Sequence, residues 1–387
     1  MFQFNKFINS ISFTLITGTG VLFLIKYGWR VMGGWSIIPA LLFAASIWFI
    51  AGWAGNRFQP MKIIRSRGKI YPLLVYLGVI FTFGMLLLDL DSRVGRYYAI
   101  NEWLESFNDG RFPYGGVTNP SGFPVLFLLA LPFYYLGNTG MMVPLGIALL
   151  AGFVIYEKKT YRDVVVSLTI LFLSPLVSYE YLTRSELIFN MSLAVILISL
   201  TADRRASEQR EAFHYVMAAA WGAILATRLA VAIPWALFLL FFYRQDLKRM
   251  MTSGAVAIGV FTALVIPFWL WNPELFMQKG PFAIQMMYLP QWVYLLTPVV
   301  ILAAGWLAGN HQEVYFSAGI ILFGLVLVSF FSTAAVTGFE QAIFRDRFDV
   351  SYFILPLPFF IMAIREYTVD RYLGRVYYSE PEQLELQ

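Results

Sequence analysis

The sequence predicts an all-α polytopic membrane protein with about 11–13 transmembrane helices. Three observations predict this fold class. Only 13% of the 387 residues are charged, against about 25% in a typical soluble protein. Apolar runs of about 17 residues or more, long enough to cross a bilayer, recur from end to end. Polar segments stay under about thirty residues, which excludes a large soluble domain. With 59% hydrophobic and 18% aromatic residues, the chain has too little polar surface for a soluble fold.

The candidate spans are 8–27, 35–56, 70–90, 141–157, 162–181, 185–201, 213–243 as a broken pair, 250–271, 291–309, 314–335 and 350–365. Lys6 precedes the first apolar run, which lacks a small-residue cleavage site and reads as a span rather than a removed signal. Loop 57–69 carries Arg57, Lys62, Arg65, Arg67 and Lys69 and no acid. Such a loop stays on the cytoplasmic side, so the N-terminus is inside and span 70–90 delivers "LDLDSR" to the outer face. The basic clusters at 157–162, 203–210, 244–249 and 365–371 are then all cytoplasmic, and so is the C-terminus, provided segment 122–138 does not cross. That segment is short and holds Pro124 and Pro132, as a re-entrant or surface-lying helix would. An ordinary short span there would put Lys158 and Lys159 outside. The organisation expected is two N-terminal helices and a cytoplasmic loop (1–69), a transmembrane core (70–366) with an outer loop at 91–121, and a cytoplasmic tail (367–387).

Composition removes several function classes. The net charge, 28 − 23 = +5, lies in short loops where it sets topology, so no nucleic-acid partner is implied. Without cysteine there are no disulfides, thiolate metal sites or cysteine nucleophiles. His214 and His311 are far apart and read as solvated loop residues. No phosphate loop, Ser/His/Asp pattern or zinc-protease motif occurs. What remains is a set of carboxylates and arginines at the outer span ends. Asp89, Asp91, Arg93 and Arg96 follow one apolar run. Arg184 and Glu186 lie in "YEYLTRSE", and Arg345 and Arg347 in "FEQAIFRDRFD". Arg228 interrupts "ILATRLAVAIPW", where a charge costs roughly 2.5–3.5 kcal/mol at mid-helix and needs a partner or a cavity. Carboxylates act as general bases, and arginines hold phosphate through two parallel hydrogen bonds.

Segment 92–121 is the longest outer loop. Val94, Tyr97, Tyr98, Ile100, Trp103, Leu104 and Phe107 recur at spacings of three and four, which predicts an amphipathic helix on the membrane surface. Asn108-Asp109-Gly110 ends it. "RFPYGGVTNPSGFP" is then a shaped loop.

Four segments together resemble the GT-C superfamily of membrane glycosyltransferases, over roughly residues 70–365. The first is the acidic span end followed by "RYYAINEWLESFNDGRFPYGG" and "PSGFPVLFLLALP". The second is "LSPLVSYEYLTRSELIFNMSLAVILISL", with an acid opening a span. The third is "WGAILATRLAVAIPWALFLLF", a broken helix pair with a basic centre. The fourth is "RDRFDVSYFILPLPFFIMAI". The subfamily most similar is the mannosyltransferase-like glycosyltransferase family 87. Asp91 stands six residues before Tyr97 and Asp89 eight, farther than in the family, so either aspartate fits the acid position.

The resemblance implies transfer of a sugar, with inversion, from a polyprenyl-phosphate donor to a glycan, lipid or protein acceptor. The reaction would occur on the outer side of a prokaryotic plasma membrane. It assigns the base to Asp91, with Asp89 next. Arg345, Arg347 and Arg228 go to the lipid phosphate. Arg184, Glu186, Tyr97 and Tyr114 shape the sugar or acceptor site. The polyprenyl groove is expected between spans near 213–243 and 314–335. A divalent metal is left open, as is a partner within a membrane complex. Two other readings stay beside it. One is a non-catalytic membrane subunit that keeps the fold; the other is a lipid or solute transporter. Asp89 and Asp91 also fit a solvated helix cap beside Arg93. Arg184 and Glu186 also fit an anchoring pair.

Overall fold

The computed structural model describes residues 2–57, 67–87, 95–158, 160–202, 211–286, 289–345 and 347–364. Asp89, Asp91, Arg93 and Lys159 lie outside these, as do most of loop 57–69, the 203–210 cluster and the tail from 365. Among the described residues every regular element is a helix.

Helices α1 (Phe2–Met32) and α2 (Ile37–Arg57) fold back on one another at a tight turn. Gly33 sits there at φ 55°, and Phe13 of α1 meets Trp48 of α2 at 6.1 Å. Helix α3 (Arg67–Leu87) comes next. Helix α4 (Gly95–Asn108) follows, and Gly110 at φ 70° turns the chain after it. Helix α5 (Pro124–Tyr135) opens on a proline, whose missing N–H costs nothing in a first turn. Then come α6 (Met142–Glu157), α7 (Tyr161–Leu173), α8 (Pro175–Thr183), α9 (Leu187–Ala202), α10 (Glu211–Leu225) and α11 (Ala232–Tyr243). The C-terminal part comprises α12 (Leu247–Trp271), α13 (Pro273–Lys279), α14 (Pro281–Met286), α15 (Gln291–Leu307), α16 (His311–Thr337), α17 (Phe339–Phe344) and α18 (Leu357–Ala363).

Among the described residues four stretches are long and apolar enough to cross a membrane, or six if two bent pairs each count as one span. That is fewer than the 11–13 expected: several apolar runs are divided, α1 and α2 together make up one of the four, and the end of expected span 70–90 lies outside the described residues. Expected span 162–181 bends by 51° between α7 and α8, since Pro175 offers no N–H and bars its predecessor Ser174 from helical backbone. Expected span 350–365 is a 3-10 turn, Val350–Ile354, followed by the seven residues of α18. Helix α5 has 12 residues, about 18 Å at 1.5 Å per residue, against a hydrocarbon core of about 30 Å.

Two apolar cores hold these helices. The larger joins Ile8, Ile16 and Phe23 of α1 and Ile47 of α2 to Leu150 of α6, Val195 of α9, Leu322 of α16 and Phe360 of α18. The N-terminal pair is therefore packed into the main body. Small residues let helices approach closely, as they do in lipid. A Cβ on Gly146 would meet Phe189 Cα at 2.7 Å, and one on Gly222 would meet the Ala257 carbonyl at 2.4 Å.

The second core lies under α4. Trp103, fully buried, stacks on Phe127 of α5 at 4.3 Å and on Phe107 at 5.2 Å, with Phe268 of α12 at 5.6 Å. The apolar face of α4 is thus used inside the protein. Tyr98, expected on that face, is 48% exposed. His214 departs from its expected solvated loop: it is buried on α10, and its Nδ1 pairs with the Tyr243 hydroxyl at 2.8 Å.

Candidate functional site

A cavity of about 340 Å³ lies where the expected outer span ends converge. Gly95, Arg96, Ala99 and Ile100 of α4 line one side, and residues 118–122 of the following loop line another. Glu186, Arg228, Asp349 and Tyr352 complete the polar wall. These residues come from separated parts of the chain: α4 carries Arg96 along its first turn, while Glu186, Arg228 and Asp349 each stand at a break between helical elements.

Arg228 arrives through the break between α10 and α11. Its backbone is extended, with φ −152°, which leaves neighbouring backbone groups without helical partners. The start of α5 satisfies them. Phe123 N–H donates to the Thr227 carbonyl at 2.9 Å and Val125 N–H to the Ala226 carbonyl at 3.0 Å. Gln285 of α14 closes the junction: its Oε1 accepts from Leu229 N–H at 3.0 Å, and its Nε2 donates to the Ser121 carbonyl at 2.7 Å. Broken backbone at membrane depth needs such cover. The Arg228 guanidinium then reaches Glu186, with which it forms a salt bridge, and donates to Ser121 Oγ at 3.1 Å. Both partners of this pair are almost wholly buried. Among the described residues Glu186 Oε2 and Arg228 Nε have no hydrogen-bond partner.

Arg96 is the second cationic centre. Its Nε donates to Ser185 Oγ at 2.7 Å, one Nη to Asp349 Oδ2 at 2.9 Å and the other to Ser351 Oγ at 2.6 Å. Glu180 lies behind it at 3.5 Å and accepts the N–H of Leu187 at 3.0 Å, which ties α8 to the first turn of α9. The Tyr352 ring lies 5.2 Å from the guanidinium carbon. One side chain thereby locks α4, the α8–α9 junction and the turn at 349–352 together. Asp349 in turn caps that turn through Ser351 N–H at 2.9 Å. Burial pushes the Asp349 carboxyl up, but Arg96 and the hydrogen bonds of Ser351 and Tyr27 outweigh it and hold it below the usual carboxylate range.

The loop over the cavity is held by Glu102 of α4. Its carboxylate accepts the N–H groups of Val117 and Thr118, both at 2.8 Å, and the Thr118 hydroxyl. Burial raises the Glu102 carboxyl, yet these bonds and the Lys279 charge bring it below its ordinary value. Gly116 lies against the carboxylate so closely that an added Cβ would meet Glu102 Cδ at 2.5 Å.

Of the residues nominated from sequence, Glu186 and Arg228 line the cavity and touch each other. Tyr114 does not line it: the ring is fully buried, and its hydroxyl donates to the Gly122 carbonyl at 3.0 Å, so it shapes the loop from beneath. Tyr97 is buried against Arg184, whose guanidinium lies 5.7 Å from the ring. Arg184 ends α8 in left-handed backbone at φ 58° and donates to the Met85 carbonyl at 3.3 Å. Its stem packs over Gly140, with which an added Cβ would clash. Arg345 and Arg347 are exposed beside the turn and are not among the cavity's lining residues. Asp89 and Asp91 lie outside the described residues; Gly95, the first residue of α4, lines the cavity.

Arg96 is named by the sequence among the outer span-end charges without a role of its own, and Glu102, Glu180 and Asp349 are not singled out. Asp349-Val350-Ser351 carries the one local signal among them, an acid two residues before a serine at the start of a span, which favours a capping turn. Among the described residues no three His, Asp or Glu side chains gather as a metal-holding group. No family model, curated protein or solved structure matches the chain.

The cavity wall balances two guanidinium groups with two carboxylates. Asp349, its side chain 35% exposed, is the more open of these two acids. Both are already engaged by arginine. They can orient hydroxyl groups and fix charge, but neither is free to take a proton without losing an ion pair.

Proposed function

We propose that the chain is an integral membrane glycosyltransferase of the GT-C type, related in design to the mannosyltransferase-like enzymes. It would transfer a sugar from a polyprenyl-phosphate donor to a glycan, lipid or protein acceptor, on the outer side of a prokaryotic plasma membrane and with both termini cytoplasmic. One observation carries this reading. The polar residues of four expected outer span ends meet around one cavity beneath a surface helix and its loop, although they are spread over about 250 residues of sequence.

In the proposed reaction the acceptor hydroxyl attacks the anomeric carbon from the face opposite the phosphate. A carboxylate takes the hydroxyl proton as the new C–O bond forms. The anomeric C–O bond to the phosphate breaks, and the lipid phosphate leaves with the electron pair. Because Glu186 and Asp349 are held in ion pairs, the base is assigned to Asp91, with Asp89 as the second choice; both stand within seven residues before Gly95 of the cavity wall. Glu186 and Asp349 serve instead to orient hydroxyl groups. Arg228 faces the departing phosphate, with Arg345 and Arg347 guiding the carrier from the exposed turn.

The test is purification in mild detergent with native lipid, followed by mass spectrometry of the bound lipid. A polyprenyl-phosphate or its sugar adduct, retained by the wild type and reduced in Arg228→Met, supports the reading. Retention of ordinary phospholipids alone contradicts it.

A further inference from the structure

The N-terminal helix pair lies outside the segments that carry the glycosyltransferase resemblance, yet its first helix reaches the cavity wall. Tyr27 of α1 donates its hydroxyl proton to Asp349 Oδ1 at 3.0 Å. Its neighbour Lys26 is buried and donates to the carbonyls of Ala342, at 3.1 Å, and Phe348. Both carbonyls precede the turn that Asp349 opens, Ala342 in α17 and Phe348 directly before Asp349. Phe23, Tyr27 and Tyr179 of α8 form a triangle of rings, with Phe23 and Tyr27 4.6 Å apart and each 5.0 Å from Tyr179. Two consecutive residues of α1 therefore grip the 342–349 segment by its backbone and by its acid.

The geometry divides the work at Asp349. Oδ1 accepts from Tyr27 and from Ser351 N–H, while Oδ2 accepts from Arg96. Fixing Oδ1 fixes the carboxylate plane, and so turns Oδ2 toward the guanidinium. Arg96 is then held in place for its bonds to Ser185 and Ser351. We infer that α1 is a working part of the cavity and that Tyr27 is a positioning residue, which orients Asp349 and through it Arg96. The acidic wall would not keep its geometry in a chain lacking α1. This inference rests on the glycosyltransferase reading only for its effect on transfer; its effect on Asp349 stands apart from that reading.

Among the described residues, the charged and titratable groups that act on Asp349 are Arg96 from α4, Tyr179 and Glu180 from α8, and Tyr27 from α1. Removing the Tyr27 hydroxyl takes away one bond to the ionised acid and leaves the others. The Asp349 carboxyl should then titrate higher, by roughly half to one pH unit.

The experiment follows carbodiimide labelling of Asp349 by mass spectrometry between about pH 3 and 7, in the full-length protein in detergent. Tyr27→Phe should raise the titration midpoint. Replacement of Tyr27 by 3-fluorotyrosine, a stronger donor of nearly the same shape, should lower it. The second variant keeps the test available if the first fails to fold. Phe23→Leu loosens the aromatic stack without touching the hydrogen bond and should leave the midpoint near wild type. An unchanged midpoint in both Tyr27 variants overturns the inference. Equal shifts in Phe23→Leu and Tyr27→Phe also overturn it, because they would show a packing role alone. Midpoint shifts in a protein that transfers no sugar uphold the inference and count only against the enzyme reading.

Discussion

Arg228→Met removes one member of the buried pair with Glu186. The replacement has a similar reach and no charge. Glu186 is 1% exposed, and one of its oxygens already lacks a partner. After the substitution the carboxylate would lose its contact ion pair among the described residues, with Arg96 the remaining cation that acts on it. Breaking a buried pair in this way costs about 3–5 kcal/mol, which for a chain of 387 residues corresponds to a fall in Tm of roughly 4–6 °C. The double substitution Arg228→Met with Glu186→Leu removes both charges and should recover stability to within about 1–2 kcal/mol of wild type. Transfer should be lost in both variants. Thermal unfolding in detergent, followed by tryptophan fluorescence, measures the first quantity, and a donor-dependent sugar-transfer assay measures the second. A wild-type Tm in Arg228→Met would refute the buried-pair reasoning. A double variant as unstable as the single one would show that volume and not charge sets the cost.

Arg96→Lys should destabilise the protein by about 2–4 kcal/mol and abolish transfer, because an ammonium cannot make the forked contacts to Ser185, Asp349 and Ser351 together; thermal unfolding beside the transfer assay checks this. Glu102→Gln should speed hydrogen exchange at the Val117 and Thr118 amides. In wild type the lowered Glu102 carboxyl stabilises the loop above its ordinary value of 4.5 and loses that effect as pH falls through its folded value, so loop protection beyond the intrinsic pH dependence should vanish on acidification. Ser66→Cys should resist a membrane-impermeant thiol reagent applied to intact cells, since loop 57–69 is assigned to the cytoplasm; ready labelling from outside would reverse the topology. The chain's lack of cysteine makes that experiment free of background.

Local signals made part of this structure legible in the sequence. Arg228 inside an apolar run, with Pro234 after it, announces the break between α10 and α11, because a mid-span charge and a proline both oppose a continuous helix there. The three-and-four spacing of Ile100, Trp103 and Leu104 announces the buried face of α4. Pro175 also announces a break, and the single span 162–181 overlooks it. The rest depends on long-range contacts. Arg96 meets partners 84 to 255 residues away, and no local pattern marks that convergence. Arg345 and Arg347 resemble phosphate ligands in sequence, but the neighbouring Asp349 is the one turned inward, since it caps the 3-10 turn. Tyr114 fits a ligand-binding aromatic by its Gly-rich setting. Its burial follows from α4, α5 and α13 packing around it, with Trp103 at 6.0 Å, Phe127 at 6.2 Å and Phe276 at 5.3 Å.

The charges near 89–93 stand before a helix whose first two residues line a cavity with no described carboxylate free of an ion pair. That arrangement leads the account to a base supplied by the preceding acidic stretch. The most direct test is transfer of a radiolabelled sugar from polyprenyl-phosphate donors by the purified protein, comparing wild type with Asp91→Asn and the double variant Asp89→Asn/Asp91→Asn. Asparagine keeps the shape of the side chain and removes its basicity. The wild type should transfer sugar and Asp91→Asn should not, with lipid retention and Tm unchanged. Full activity in the double variant, or no transfer by the wild type from any donor, would contradict it.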